Sequence, residues 1–347
     1  MSDLRACLAG ATTYLPERWV SMGEREAQIA AASDGFTPPP GLITQLTGVT
    51  GVHLIDDDQQ ASDLAAGAAR KLLADQGVRP ADVDLMIFAA ASQDMIEPAT
   101  SHVVAAKLAL TCPVFDVKNA CNSVLNAMEI TQALIASGRY RTILITCGEA
   151  PSVAAQLRIP DAAAFARALP AYGFSDAGAA LLWTAQETPR PLPPRGILGC
   201  RFAADSAAWP SATVLHGGIA SLRHRSGPEA AACFRMDSVR MRDSLRALGR
   251  AHLNRALDEL GLTFDDFAFI GAHQVALADL DELCGPEIGV PRDKLIITLP
   301  EHGNVASASL PLQLTRALET GRAGPGDLVA LIGLAAGSSA GLMTLRL

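Results

Sequence analysis

Residues 115–123, Phe-Asp-Val-Lys-Asn-Ala-Cys-Asn-Ser, join a short apolar strand to a helical pattern. The apolar side chains after this stretch recur at roughly helical spacing, which predicts a helix with one buried face. This order places Cys121 in the first turn of the helix, where unpaired N–H groups and the positive end of the dipole favour a thiolate. We therefore predict that Cys121 is a nucleophile, with a small buried hydrophobic residue as the ordinary alternative.

Two later segments end in polar side chains that suit acyl-transfer chemistry. Residues 267–274 form an apolar strand ending at His273, and residues 299–309 form a small, polar turn around Asn304. Taken alone, His273 is typical of a histidine at a strand end and Asn304 of a turn residue. Together with Cys121 they are the parts of a carbon–carbon-forming acyltransferase, in which the thiolate takes the acyl group and the other two side chains hydrogen-bond an enolate.

The composition is that of a well-packed soluble enzyme. The chain has 347 residues, 49% of them hydrophobic and 18% charged, which allows two core-forming halves. No apolar run reaches the length of a membrane span, and the N-terminus lacks the order of a signal peptide. The net charge of −8 argues against nucleic-acid binding. Seven irregularly spaced cysteines without a Cys-x-x-Cys pair indicate neither a disulfide framework nor a metal site, so we expect a cytoplasmic protein.

The chain contains an internal repeat. Residues 77–88 and 261–270 each read as a helix end, an acidic turn and a strand, with a constant shift of 184 residues. The strand at 142–146 has its counterpart at 328–332. Alternating helices and apolar strands predict mostly parallel sheets buried on both faces, and two such halves packed about a pseudo-twofold axis would bring the three polar side chains to one site.

A proline-rich stretch, residues 189–195, separates the two halves. Proline can continue neither a helix nor a central strand, so this stretch is interpreted as a connector. The predicted division is an N-terminal half, 1–188, which carries Cys121, and a C-terminal half, 189–347, which carries His273 and Asn304.

A series of short motifs extends over nearly the whole chain, at residues 14–18, 47–49, 97–100, 119–121, 174–180, 273–274, 303–304 and 333–338. This ordered set resembles the ketoacyl-acyl-carrier-protein synthase III branch of the thiolase superfamily. The resemblance implies a five-layered αβαβα thiolase fold built from two duplicated α/β halves, a homodimer, and a Cys121–His273–Asn304 triad. It also implies coenzyme A or phosphopantetheine thioesters as substrates, supplied as acyl-CoA or on an acyl carrier protein, with no cofactor or metal.

The C-terminal glycine-rich loop would bind the substrate next to the nucleophile. The resemblance implies an oxyanion hole formed by the N–H of Cys121 and an N–H of this loop, and small residues allow such close backbone approach. The candidates are Gly333, Ala335, Ala336 and Gly337.

Several positions depart from the family pattern. Basic residues are absent at Thr50 and Gly51, and the loop has lost glycines at Leu334 and Ala335. These departures favour secondary metabolite or polyketide biosynthesis over bulk fatty-acid synthesis.

The motif at 97–100 is similar to that of the branch that condenses two acyl thioesters head to head. This resemblance implies that Glu97 reaches into the active site of the partner subunit and acts as a base. The alternative is that Glu97 is a solvated loop residue.

Arg242, Arg246 and Arg250 share one face of a predicted helix at four-residue spacing. They could receive the phosphates of coenzyme A or the acidic helix of a carrier protein, or simply form a solvated face.

We predict a synthase III-like enzyme that forms an acyl-Cys121 intermediate and condenses it with a second acyl or malonyl thioester. One alternative is acyl transfer from Cys121 to a hydroxyl or amine. Another is a non-catalytic partner subunit of a synthase.

Overall fold

The computed structural model describes residues 4–187, 194–215, 218 and 233–347, apart from the side chain of Arg250. Most of the proline-rich connector and the predicted boundary after residue 188 lie outside the described residues. The strands are β1 (Leu4–Tyr14), β2 (Trp19–Ser21), β3 (Gly51–His53), β4 (Leu85–Ala89), β5 (Val114–Val117), β6 (Thr142–Glu149), β7 (Ala177–Glu187), β8 (Gly196–Ala204), β9 (Ala212–Thr213), β10 (Arg235–Met236), β11 (Phe269–Ala272), β12 (Leu328–Ala335) and β13 (Ser339–Arg346). The helices are α1 (Met22–Ala32), α2 (Leu42–Thr47), α3 (Ala61–Asp75), α4 (Thr100–Leu108), α5 (Ser123–Ala136), α6 (Ala162–Tyr172), α7 (Ser238–Leu260), α8 (Leu277–Leu283), α9 (Leu299–His302) and α10 (Ser309–Glu319).

Two sheets with matching topology form the frame of the protein. The first has the order β1-β7-β6-β4-β5 and the second the order β11-β12-β13-β8. In both, a parallel pair (β4 with β6, and β11 with β12) is followed by two antiparallel pairs that lead to β1 and β8. This correspondence confirms the repeat that the sequence indicates.

The expectation of mostly parallel sheets is wrong, because each sheet carries two antiparallel pairings. In the second sheet the cause is local: β12 and β13 are joined by a tight turn in which Gly337 and Ser338 both have positive φ, at 81° and 52°. A turn this short can connect only antiparallel neighbours, since a parallel connection needs a long crossover.

The helices complete five layers. Helices α3 and α4 pack on the outer face of the first sheet, and α7 packs on β8 and β13 of the second. Helices α5 and α10 lie between the sheets, where Leu125 of α5 approaches Gly333 and Gly341 of the second sheet. The outer packing depends on glycine: a Cβ at Gly148 would lie 1.8 Å from the Ala61 carbonyl oxygen of α3. The αβαβα arrangement predicted for the chain is therefore confirmed.

Within the described ranges, none of the helices combines the length and the apolar character that a bilayer crossing needs.

Candidate active site

The turn that carries Cys121 is held by hydrogen bonds to one carbonyl group. Ala120 adopts a left-handed conformation, with φ at 45°. Its carbonyl oxygen accepts hydrogen bonds from Ser123 N–H at 3.1 Å, Ser123 Oγ at 2.7 Å and Ser307 Oγ at 2.6 Å. The first two contacts come from the start of α5 and the third from the C-terminal half, so both halves of the chain fix the position of Cys121.

The resting thiolate expected at Cys121 is a wrong prediction. Helix α5 begins at Ser123 with Asn122 as its N-cap, so Cys121 precedes the helical turn. Burial, followed by the nearby Glu149 carboxylate, raises the pKa of Cys121 to about 12. Both causes favour the neutral thiol. Transfer of an acyl group to Cys121 therefore needs a base that removes the thiol proton as the carbon–sulfur bond forms.

Glu149 is a site residue that the sequence analysis missed. This fully buried carboxylate ends β6 and accepts hydrogen bonds from Ala91 N at 2.7 Å, Ser92 N at 3.0 Å, Ser92 Oγ at 2.8 Å and Ser307 N at 3.2 Å. Burial raises its pKa. The sequence did contain a signal for Glu149: it is a charged residue at the end of an otherwise apolar strand. Glu149 therefore joins the loop after β4 to the turn after Asn304.

Replacing Glu149 by Gln should increase the thiolate fraction at Cys121, because the substitution removes a negative charge that raises the pKa of this thiol. We expect the iodoacetamide reaction of Cys121 to be roughly tenfold faster at pH 9, the effect of one pKa unit. Peptide mass spectra assign the reaction to Cys121, and the pH–rate profile should move toward lower pH. An unchanged profile, or a uniform rise at every pH, would contradict this explanation, since the latter reports only easier access.

His273 lies directly after β11, where a buried glutamine fixes the strand end. The Gln313 side chain accepts a hydrogen bond from Ala272 N at 3.0 Å and donates one to Ala272 O at 2.8 Å. His273 is 8% exposed, and burial lowers its pKa to about 4. The imidazole is therefore neutral at pH 7. Its Nδ1 is buried without a hydrogen-bond partner among the described residues, so no contact there selects one tautomer.

Gln274 connects the His273 loop to the segment that leads to Asn304. Its Oε1 accepts hydrogen bonds from the main-chain N–H groups of Thr298 and Leu299, both at 3.0 Å. These contacts hold the start of α9 against the end of β11. The separation between His273 and Asn304 is therefore set by buried hydrogen bonds as well as by the strands.

Asn304 presents its amide N–H₂ group for donation. The residue is 4% exposed and its main chain is held by the Gly173 carbonyl, which accepts from Asn304 N at 2.8 Å. Its Oδ1 accepts a hydrogen bond from Ala306 N at 2.9 Å, which orients the side-chain amide. No described residue accepts from Nδ2, so this group is available to a ligand.

Cys121, His273 and Asn304 line one cavity of about 1360 Å³. The structure thus brings together three residues from distant parts of the chain, the first and last of which, Cys121 and Asn304, are 183 positions apart. The cavity is large enough for an acyl chain together with a pantetheine arm, since drug-sized ligands occupy sites of roughly 300–1,000 Å³. The arrangement can hold a thioester next to a thiol, a neutral imidazole and an amide donor.

The glycine-rich loop divides between two roles. Ala335 and Ala336 line the cavity, as expected for substrate-binding residues, whereas Gly333 and Gly337 are not among its lining residues. A Cβ at Gly333 would lie 2.0 Å from Oδ1 of Asn122, the residue after Cys121. Gly333 therefore packs closely against the residue that follows the nucleophile.

Two of the three predicted arginines lie at the cavity, and both have acidic neighbours. Arg242 lies 3.9 Å from Asp279, and Arg246 Nε donates to Glu282 Oε2 at 2.8 Å. All four side chains line the cavity and are partly exposed. The side chain of Arg250 lies outside the described part of the chain.

Glu97 lies on an exposed loop between β4 and α4, outside the cavity of its own chain. Its neighbours Met95 and Ile96 do line the cavity and are about half exposed, at 47% and 50%. The loop therefore contributes apolar surface to the cavity. The Glu97 carboxylate forms no hydrogen bond or ion pair with the described residues of its own chain.

Among the described side chains, no cluster of three or more His, Cys, Asp or Glu residues could hold a metal ion. Among the described residues, Cys7, Cys112, Cys121, Cys147, Cys200 and Cys284 are free thiols.

Comparison with known proteins identifies the family of the chain. Residues 115–205 match the family model for 3-oxoacyl-[acyl-carrier-protein (ACP)] synthase III, and residues 257–347 match the model for its C-terminal part. Together these matches span just over half of the chain. The beta-ketoacyl-[acyl-carrier-protein] synthase III of Rhizorhabdus wittichii is 29% identical over 351 residues, covering 99% of each chain.

Solved structures share the whole fold. The 3-oxoacyl-(acyl carrier protein) synthase III, FabH, of Xanthomonas oryzae pv. oryzae has a TM-score of 0.85 at 23% identity and covers 100% of both chains. A variant of OleA from Xanthomonas campestris, solved with bound lauric acid and lauroyl-CoA, has a TM-score of 0.85 at 22% identity and covers 99% of both. The chain belongs to the synthase III-like condensing enzymes of the thiolase superfamily.

Proposed function

We propose that the protein is a cytoplasmic homodimer that forms an acyl-Cys121 intermediate and condenses it with a second acyl or malonyl thioester. The observation that carries this proposal is the convergence of Cys121, His273 and Asn304 on one cavity. Its substrates would be acyl thioesters of coenzyme A or of an acyl carrier protein, which need no further cofactor. The departures from the family pattern support a role in secondary metabolite or polyketide biosynthesis.

In the first step, the Cys121 sulfur attacks the thioester carbonyl carbon. Neutral His273 takes the thiol proton, because the pKa of Cys121 is raised to about 12 and the thiol cannot ionise unaided. The carbonyl–sulfur bond of the donor breaks and the proton passes to the leaving thiolate, so a thioester and a thiol give a new thioester and a new thiol. The N–H of Cys121 and an N–H in the Leu334–Ala336 loop would stabilise the oxyanion.

In the second step, the α-carbon of the second thioester becomes the nucleophile. A malonyl thioester generates the enolate by losing carbon dioxide, whereas an acyl thioester must lose an α-proton, for which Glu97 of the partner subunit is the proposed base. His273 and Asn304 Nδ2 donate hydrogen bonds to the enolate oxygen. Because no hydrogen bond at Nδ1 fixes the His273 tautomer, the same ring can accept a proton in one step and donate a hydrogen bond in the next. As the new carbon–carbon bond forms, the bond between the acyl carbon and the Cys121 sulfur breaks. The released thiolate takes up the proton removed by Glu97 of the partner subunit in the acyl route, or a proton from water in the route that loses carbon dioxide.

Mass spectrometry of the loaded enzyme tests the proposal. Purified protein is incubated with a panel of acyl-CoAs and acyl carrier proteins, and we expect an acyl adduct on Cys121 that is absent from the Cys121→Ala variant. Candidate acceptors are then added to the loaded enzyme. A β-ketothioester product supports condensation, whereas an ester or amide product would replace it with the acyltransferase alternative. A folded protein that takes no acyl group from any donor would favour the partner-subunit alternative.

A further inference from the structure

Arg25 is a charged residue on the buried face of helix α1. The buried residues of this helix are Met22, Arg25, Glu26 and Ile29, which is the spacing of a core-facing stripe. Arg25 is only 5% exposed, yet it lines the same cavity as Cys121. Arginine is almost never this buried unless it is paired, so its surroundings decide what it does.

No acidic side chain neutralises Arg25 within the described residues. Its guanidinium forms one hydrogen bond, from Nη1 to Gln28 Oε1 at 3.1 Å, and no described carboxylate lies within 4.0 Å of it. Its Nε is buried without a partner. Burial also lowers the pKa of Arg25, and this effect outweighs the favourable charge of Asp176.

Two buried carboxylates, Asp176, whose charge acts on Arg25, and Glu26, the next residue in the chain, are already occupied by other donors. Asp176 accepts hydrogen bonds from Ile55 N at 2.9 Å and from Ser152 Oγ at 2.6 Å. Glu26 accepts from the main-chain N–H groups at 41 and 43, at 2.7 and 3.1 Å. A buried cation without a paired anion costs several kcal/mol, which a bound anion would offset.

Arg25 and Gln28 together offer the donors that a carboxylate needs. The Gln28 side chain accepts the Arg25 hydrogen bond with its oxygen, which leaves its Nε2 free to donate, and Gln28 also lines the cavity. The planar guanidinium still has unused N–H groups, and such groups bind carboxylates with directional, charge-assisted hydrogen bonds. Within the described residues, no hydrogen bond joins either side chain to Cys121, His273 or Asn304, so an anion held by this pair would leave the triad available to the thioester.

We propose that Arg25, assisted by Gln28, binds a carboxylate at the far end of the acyl group loaded on Cys121. The donor would then be a half-thioester of a dicarboxylic acid. This inference rests on the proposed function, because it needs the acyl group to enter the cavity on Cys121. The acyl chain is the favoured source of the anion, since a malonyl carboxylate must lie beside His273 and Asn304, and coenzyme A phosphates suit Arg242 and Arg246 at the cavity.

Loading rates with matched thioesters test the proposal. N-acetylcysteamine thioesters of dicarboxylic half-acids, from succinyl to suberoyl, are compared with monocarboxylic acyl groups of equal length, and the initial rate of adduct formation on Cys121 is measured. We expect the dicarboxylic compound of the best length to load about 10- to 100-fold faster, the value of a charge-assisted hydrogen bond. Arg25→Met should abolish this ratio and Arg25→Lys should retain part of it. Arg167→Met, on the exposed face of α6, should leave the ratio unchanged.

A stability measurement accompanies the kinetics. Arg25→Met removes the unpaired buried cation, so its midpoint of thermal unfolding should rise by a few degrees, which also shows that the variant is folded. Equal loading of both acyl classes by the unaltered protein would overturn the inference. If Arg25→Met has an effect only with coenzyme A thioesters, Arg25 binds the coenzyme A phosphates. If the effect is confined to the condensation step, Arg25 binds the acceptor thioester. Either result overturns the assignment of the contact to the acyl donor.

Binding to the Cys121→Ala variant separates this inference from the proposed function. Calorimetry compares the glutaryl and pentanoyl coenzyme A thioesters without any covalent step. The protein with Cys121 could fail to load any acyl group while the Cys121→Ala variant still binds the glutaryl thioester preferentially and in a manner that needs Arg25. That result would overturn the proposed function and support the anion site. Loading without such a preference would overturn the anion site alone.

Discussion

Asn304→Ala should reduce condensation by about 10²- to 10³-fold while acyl loading of Cys121 changes by less than about threefold. The reason is the division of hydrogen bonds at this amide: Oδ1 accepts from Ala306 N, and Nδ2 has no acceptor among the described residues. A donor that faces an enolate stabilises only the second step. Loading is followed by intact mass, and condensation by the yield of β-ketothioester from pre-loaded enzyme.

A second substitution separates the lost donor from a displaced turn. Asn304→Asp keeps an oxygen to accept from Ala306 N but replaces the N–H₂ donor, so condensation should fall by a similar factor while the turn is retained. Asn254→Ala, on the exposed surface of α7, serves as the control. If both substitutions at Asn304 slow loading as much as condensation, the amide has no specific part in enolate chemistry. If the loaded enzyme transfers its acyl group to an alcohol or amine and neither substitution affects this, the acyltransferase alternative is correct.

The sequence predicted the parts of the site that depend on local order. The strand before Cys121, the strand before His273 and the turn around Asn304 are each readable from a few neighbouring residues, and the internal repeat predicts that they meet. The five layers followed from the resemblance to a known family. The charge state of Cys121 could not be predicted in this way, because it depends on burial and on Glu149, which is brought close only by the fold.

The same limit applies to residues whose role is set by distant neighbours. Arg25 looks like a helix surface residue in sequence, and only the packing of α1 shows that it is buried without an acidic partner. The antiparallel edges of both sheets were missed because an alternation of helices and strands does not state the direction of each pairing. The close approach of Gly333 to Asn122 could not be predicted either, since the two residues are more than 200 positions apart.

Gly333→Ala should destabilise the protein by about 1–3 kcal/mol and slow acyl loading by about 10²-fold. The added Cβ would lie 2.0 Å from Asn122 Oδ1 and 2.7 Å from Leu125 Cδ1, so the turn beside Cys121 must shift. Asn122 cannot yield freely, because its Nδ2 donates to Ser339 Oγ at 3.0 Å. Urea unfolding gives the free energy, and intact mass gives the loading rate.

A double-substitution cycle decides between packing and substrate contact at Gly333. If the clash with Asn122 is the cause, adding Asn122→Ala should recover much of the stability and loading rate lost in Gly333→Ala. The free energies of unfolding should then show a coupling energy of about 1 kcal/mol or more between the two substitutions. If the glycine instead serves approach of the substrate, Asn122→Ala would recover neither. Gly249→Ala is the matched control, since its Cβ meets no atom within 4 Å inside α7, and alanine there should stabilise the helix by up to about 1 kcal/mol. Because Gly333 lies directly behind the residue that follows the nucleophile, recovery in the double variant would mean that Gly333 acts on catalysis by fixing the position of Cys121.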